Sequence, residues 1–231
     1  MKIKAALLLL FSLFSFSSHA ISLYFDTEDA PKLFTFGARV GLNVSNRTFE
    51  KPAFEKWNVN SWGFGFEAGG VVNINFKEYL ALQPGFFFES RSGNYSYAMD
   101  YRTNANKVDT FYQLGHVRNY NFTVPVMGIL RFNLNDDIKW LLELGPYFQL
   151  NLHSSDGKQI QVPVWSPNTN NYSLTLAKTN SCDLGIKIGT GLMLFNHYYA
   201  AIHYMAGLTD AWKYPAGGSN KAWTFTLGYD F

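Results

Sequence analysis

The chain has 231 residues, 16% of them charged and 18% aromatic, with 19 Lys and Arg against 17 Asp and Glu. That length holds one full domain or two small ones, and so even a charge balance excludes the basic surface a nucleic-acid partner requires. A single cysteine, Cys182, excludes an internal disulfide, and after residue 20 no uncharged apolar run reaches the length of a membrane-spanning helix.

The first element is "MKIKAALLLLFSLFSFSSHA" (1–20). Lys2 and Lys4 precede an apolar run from Ala5 to Phe16, and small residues lead to Ala20. This pattern predicts a cleaved secretory signal peptide; the alternative, a short membrane anchor, needs a longer run. Its removal takes two lysines and leaves the mature chain close to neutral.

Eight stretches of period-2 alternation follow. Phe34, Phe36, Ala38, Val40 and Leu42 alternate with Thr35, Gly37, Arg39, Gly41 and Asn43. In 62–76, Phe64, Phe66, Val72 and Ile74 oppose Gly63, Gly65, Glu67 and Asn73. In 79–91, Leu80, Leu82, Phe86 and Phe88 oppose Ala81, Gln83, Gly85 and Glu89. Three more have the apolar sets Tyr120–Phe132, Trp140–Leu150 and Leu184–Leu194. A seventh runs from Tyr198 to Leu208, and an eighth closes the chain as "KAWTFTLGYDF" (221–231).

Tight turns at 76–79, 133–139 and 196–197 alternate with long polar segments at 45–61, 92–118, 152–181 and 210–221. Short turns on one rim and long loops on the other predict an all-β, eight-stranded antiparallel transmembrane β-barrel with short periplasmic turns and long extracellular loops. A lipid-facing sheet must close, because an open edge leaves backbone groups unpaired in hydrocarbon. Aromatics such as Trp223 and Tyr229 suit the membrane interface. A soluble barrel of the lipocalin kind would turn the apolar faces inward and leave Gly, Arg and Glu outside. The expected organisation is a signal peptide (1–20), a periplasmic lead (21–32) and a barrel domain (33–231). The expected location is the outer membrane of a Gram-negative bacterium, with both termini periplasmic.

With the apolar face on lipid, nine charged residues have inward parity: Arg39, Glu67, Glu89, Arg91, Arg131, Glu143, Asp183, Lys187 and Asp230. Confined charges must be paired or hydrogen-bonded. Such a near-balanced set serves either a gated path or a polar plug, and the narrow lumen of eight strands favours the plug. The long polar segments carry Tyr95, Tyr97, Tyr101, Tyr112, Trp165 and Tyr172, a composition suited to adaptable contacts with a ligand; the alternative is that these rings pack over the barrel mouth.

No catalytic residue, cofactor site or metal site is expected. His153, Ser154 and Asp156 are the letters of a nucleophilic triad, but proximity in sequence supplies neither a positioned base nor an orienter. No histidine or cysteine pair has metal-ligand spacing. "GFGFEAGG" (63–70) alternates as a strand and is not a phosphate-binding glycine loop.

The segments "FGARVGLNVSN" (36–46), "NFTVPVMGILRF" (121–132), "WLLELGPYFQL" (140–150), "CDLGIKIGTGLML" (182–194), "YMAGLTD" (204–210) and "FTLGYDF" (225–231) together resemble the small outer-membrane β-barrel family of Bacteroidetes, labelled PorT-like or "porin family". The resemblance implies one outer-membrane barrel and brings no catalytic residues. Tyr229 and Phe231 resemble the C-terminal aromatic signal by which such barrels reach their assembly machinery. The expected partners are outer-membrane lipid, that machinery and other outer-membrane proteins. The expected role is non-enzymatic, as an accessory subunit or an extracellular ligand binder; the alternatives are a narrow or gated transport pore and, behind it, a lipid- or peptide-modifying enzyme of the outer membrane.

Overall fold

In the protein's structure, a computed structural model, the described residues are 25–48, 55–104, 106–155, 163–166, 169–173, 178–214 and 218–231. The segment expected to be a signal peptide lies outside them.

Among the described residues twelve strands are formed: β1 (Phe34–Arg47), β2 (Glu55–Lys77), β3 (Leu80–Asn104), β4 (Lys107–Asn133), β5 (Ile138–Ser154), β6 (Pro163–Ser166), β7 (Thr169–Ser173), β8 (Lys178–Thr179), β9 (Cys182–Leu194), β10 (Tyr198–Gly207), β11 (Trp212–Tyr214) and β12 (Asn220–Asp230). Eight of them close a barrel in the order β1-β12-β10-β9-β5-β4-β3-β2. All the pairings are antiparallel, and the seam joins β1 to β12 from Gly37 opposite Asp230 to Arg47 opposite Asn220.

Each of the eight alternating stretches is a barrel strand with its apolar residues outside. Phe64 is 76% exposed and its neighbour Gly63 is buried. On β5 the outward series runs from Trp140 to Leu150. Ten steps of about 3.4 Å, on a strand tilted about 40°, give a band of about 26 Å, the height of a bilayer's hydrocarbon. Aromatics ring the band at both ends. Phe25, Phe132 and Trp140 pack in tilted pairs at the turn end, with centroids 4.6 and 5.1 Å apart. Tyr204 and Trp223 pack 4.9 Å apart at the other.

The segments expected to be loops differ from that expectation. β2, β3 and β4 run 23, 25 and 27 residues, far beyond the 9–11 that cross a bilayer. Beyond Gly63, β2 pairs with β3 alone, and β4 pairs with β3 alone up to Arg118. The three strands therefore continue past the barrel wall as one sheet, reaching about 35 Å along β3. The hairpin of β6 and β7 lies beside it, and β8 pairs with β11. The apolar–polar alternation fades in this extension, while the ladder itself persists.

The strap before the barrel crosses the turn end. Glu78 N–H donates to the Glu28 carbonyl at 3.1 Å and Asn75 N–H to the Leu33 carbonyl at 2.8 Å. Lys77 and Asp29 form an ion pair at 2.6 Å.

Candidate functional site

The lumen is filled by side chains of inward parity, and all nine predicted charged residues are buried there. They do not neutralise one another as a single charged network. Only two direct cation–carboxylate pairs form within the set: Arg39 with Asp230 and Arg91 with Glu89, at 2.6 and 2.7 Å.

The first pair spans the seam. Asn73 also donates to Asp230, at 3.1 Å, and Gln83 donates to Asn73 at 2.6 Å. The Arg39 guanidinium lies 4.1 Å from the centroid of the Tyr199 ring. Gly37 and Gly228 are what admit it, since a Cβ at either position would collide with the Arg39 side chain.

The other acids rely on neutral donors or on histidine. Tyr199 Oη donates to both Glu143 oxygens, at 2.8 and 3.0 Å, and His203 Nε2 lies 2.7 Å from Glu143 Oε2. Thr226 donates to Glu67. Asp183 accepts from Tyr147, Thr209 and Asn220 at 3.0, 2.6 and 3.0 Å. Lys187 sits 5.2 Å from the Phe87 ring, and Arg131 donates to Asn75 Oδ1 at 2.7 Å.

Tyr147 and Tyr199 escaped the sequence reading as partners. Their inward parity was the available signal, because a buried tyrosine hydroxyl in so narrow a lumen needs an acceptor. A second departure is an apolar layer inside the barrel: Ala81, Met127, Ile129, Leu141 and Met193 are buried together beneath Tyr199. It separates Arg131, at the turn-end mouth, from the buried Glu143 cluster. Around that cluster the remaining void is about 10 Å³, room for about one water.

At the long-loop end, Tyr95, Tyr97 and Tyr101 lie on β3, Tyr112 on β4, Trp165 on β6 and Tyr172 on β7; their side chains lie outside the described part. By strand register, the three β3 tyrosines occupy one face of the extension, and Tyr112, opposite Ala98, occupies the other. His153 stacks on Tyr120, 6.5 Å between centroids, and Asp156 lies outside the described residues. Tyr229 and Phe231 pack edge to face at 5.3 Å on the outer surface of the turn end.

A family model for the outer membrane protein beta-barrel domain matches residues 25–213. The chain belongs to that family. It is an outer-membrane β-barrel protein, closed from eight antiparallel strands.

Solved structures similar in fold include OprG from Pseudomonas aeruginosa, at 11% identity and a TM-score of 0.44, covering 89% of this chain and 98% of that one. Ail, the attachment invasion locus protein of Yersinia pestis, is 11% identical with a TM-score of 0.37, covering 87% and 100%. The N-terminal β-barrel domain of Pseudomonas aeruginosa OprF is 10% identical with a TM-score of 0.33, covering 84% and 97%. Comparison with curated proteins gave no match.

Proposed function

We propose that this barrel is a non-enzymatic interaction protein, of the small Bacteroidetes type, whose extended β2–β3–β4 sheet is its working surface outside the cell. The barrel is its lipid-compatible base, and both termini face the periplasm. The observation that carries this reading is where the strand length is spent. β10 and β12 have 10 and 11 residues, enough to cross a bilayer, whereas β3 and β4 have 25 and 27. More than half of the longest hairpin thus serves no spanning role. The β-forming tyrosines of β3 and β4 supply rigid contact area at low entropic cost.

The filled lumen supports a base rather than a conduit, because an apolar layer and buried polar pairs both lie across the path. The order of motifs from 36 to 231 supports the Bacteroidetes type.

The test replaces residues 95–115 with a two-residue Asn-Gly turn, which keeps Asn94 opposite His116 and so preserves the hairpin register. The shortened protein should fold, judged by its altered gel mobility before heating. It should also lose any stoichiometric outer-membrane or extracellular partner that the full chain holds in its native host. A partner retained by the shortened protein overturns the reading, as does single-channel conductance from the intact barrel.

A further inference from the structure

We propose that the cavity at the turn end of the barrel is a binding site for a phosphate group. The cavity has a volume of about 260 Å³ and is lined by Lys32 of the strap, Arg131 of β4, Lys139 of β5 and His197 of the β9–β10 turn, with Glu78 and Asp230 as its acids. Both acids are already engaged. Lys139 Nζ holds Glu78 at 3.0 Å, and Arg39, from deeper in the lumen, holds Asp230 at 2.6 Å. The nearby Glu28, Asp136 and Asp137 are exposed, and Asp29 pairs with Lys77.

Arg131 and Lys32 are therefore left without a carboxylate in ion-pair range among the described residues. For Lys32, an exposed side chain, that is ordinary. For Arg131 it is not: its residue is only 9% exposed, and a buried cation without a counter-charge is costly. Two of its five N–H donors are directed to Asn75 Oδ1 at 2.7 Å and to the Glu78 carbonyl at 3.4 Å. The remaining donors belong to a planar fork that matches phosphate oxygens two at a time.

Lys32 adds a point charge from the strap, and Lys139, by pairing with Glu78, keeps that carboxylate from opposing an anion. Its size admits a phosphate group but not a bulky organic ligand. Because Lys32 belongs to the strap, occupancy also ties the strap to the barrel. Free inorganic phosphate and the phosphate of a lipid headgroup present the same chemistry here.

The experiment titrates the refolded full chain in a phosphate-free zwitterionic sulfobetaine detergent with inorganic phosphate, by calorimetry and by thermal shift. Saturable binding in the millimolar range or tighter is expected. Arg131→Gln should weaken it at least about tenfold, and Lys32→Ala should weaken it severalfold. Arg118→Gln, a basic change at the opposite rim, should leave it unchanged.

If Arg131→Gln fails to fold, Lys32→Ala and Lys139→Gln, at more exposed positions, decide the matter. Dihexanoyl phosphatidic acid that displaces inorganic phosphate at lower concentration identifies a lipid headgroup as the source. Its failure to displace identifies free phosphate. The proposal falls if no saturation is reached, or if the variants at both rims lower affinity alike.

Discussion

Ser45 on β1 hydrogen-bonds the backbone of Ser92 on β3, although β2 runs between them. Its hydroxyl donates to the Ser92 carbonyl at 2.8 Å and accepts the Ser92 N–H at 3.0 Å. One turn of the pleat away, Asn43 makes the same reach to the Ser90 carbonyl, at 3.0 Å. The two side chains cross over Gly63 and Gly65, where a Cβ would collide with the backbone of Ser92 and Ser90. The pairing of β2 with β3 shifts register at this point, so the wall bends sharply where the barrel gives way to the extension.

Gly65→Ala should therefore destabilise the barrel by about 1–3 kcal/mol through overpacking. Ser45→Ala should cost about 1–3 kcal/mol by leaving buried polar groups of Ser92 unmatched. Urea unfolding in detergent, followed by tryptophan fluorescence, checks both. Stability equal to the wild type in both variants would show that the bend does not depend on this crossing.

Arg39→Ala should cost about 3–5 kcal/mol, because Asp230 is left charged and buried. The double variant Arg39→Ala, Asp230→Ala should cost less than the two single changes combined. The same unfolding assay gives the coupling, and planar-bilayer recording should find no new conductance in either variant. Simple additivity would mean that the two charges do not depend on each other.

Phe195 and Asn196 both adopt positive φ, 53° and 59°, and His197 N–H closes the turn on the Leu194 carbonyl at 3.0 Å. This is the mirror-image hairpin turn that suits Asn and Gly and strains a bulky residue. Phe195→Asn should raise stability by about 1 kcal/mol, read as a higher urea midpoint with an unchanged slope. A lower midpoint would mean that the exposed ring contributes more than the strain costs.

The strap offers a pH-dependent test. The Lys77 ammonium, by hydrogen bond and by charge, holds the Asp29 carboxyl below its ordinary value of 3.8. A depressed folded-state value stabilises the docked strap above the unfolded value, and that stability is lost as pH falls through the lowered one. Amide exchange at Glu78, whose N–H is held by the strap, should quicken relative to the barrel strands only in strong acid. Asp29→Asn should bring that quickening to neutral pH. The effect should be small, since the pair is solvent-screened.

The barrel strands were legible because two media act on them. Val40 and Leu42 meet lipid while Arg39 and Gly41 meet the lumen, so the alternation is strict. The extension was not legible, because past Gly93 the apolar–polar alternation that marks a strand stops while the ladder of β3 and β4 continues. Parity also told which face a charge occupies but not what it meets across the barrel. That Asp230 would find Arg39, and that Glu143 would find Tyr199 and His203, depends on stagger between strands, which no single strand encodes. The inner apolar layer was hidden because "PVMGIL" (125–130) is apolar on both faces, so Met127 and Ile129 stood out against nothing.

The Arg39–Asp230 contact joins the first wall strand to the last, and this bears on how the barrel comes to be finished. Until β12 docks, Arg39 faces an open slot and Asp230 has no cation, so a ring one strand short is penalised twice. Docking cancels both penalties at once, while the Phe231 N–H reaches the Phe36 carbonyl at 2.8 Å and the Arg47 guanidinium reaches Asn220 at 2.8 Å. The seam is thus clasped at both rims in a single event. Partly zipped rings have little to hold them, and insertion runs to completion or falls back.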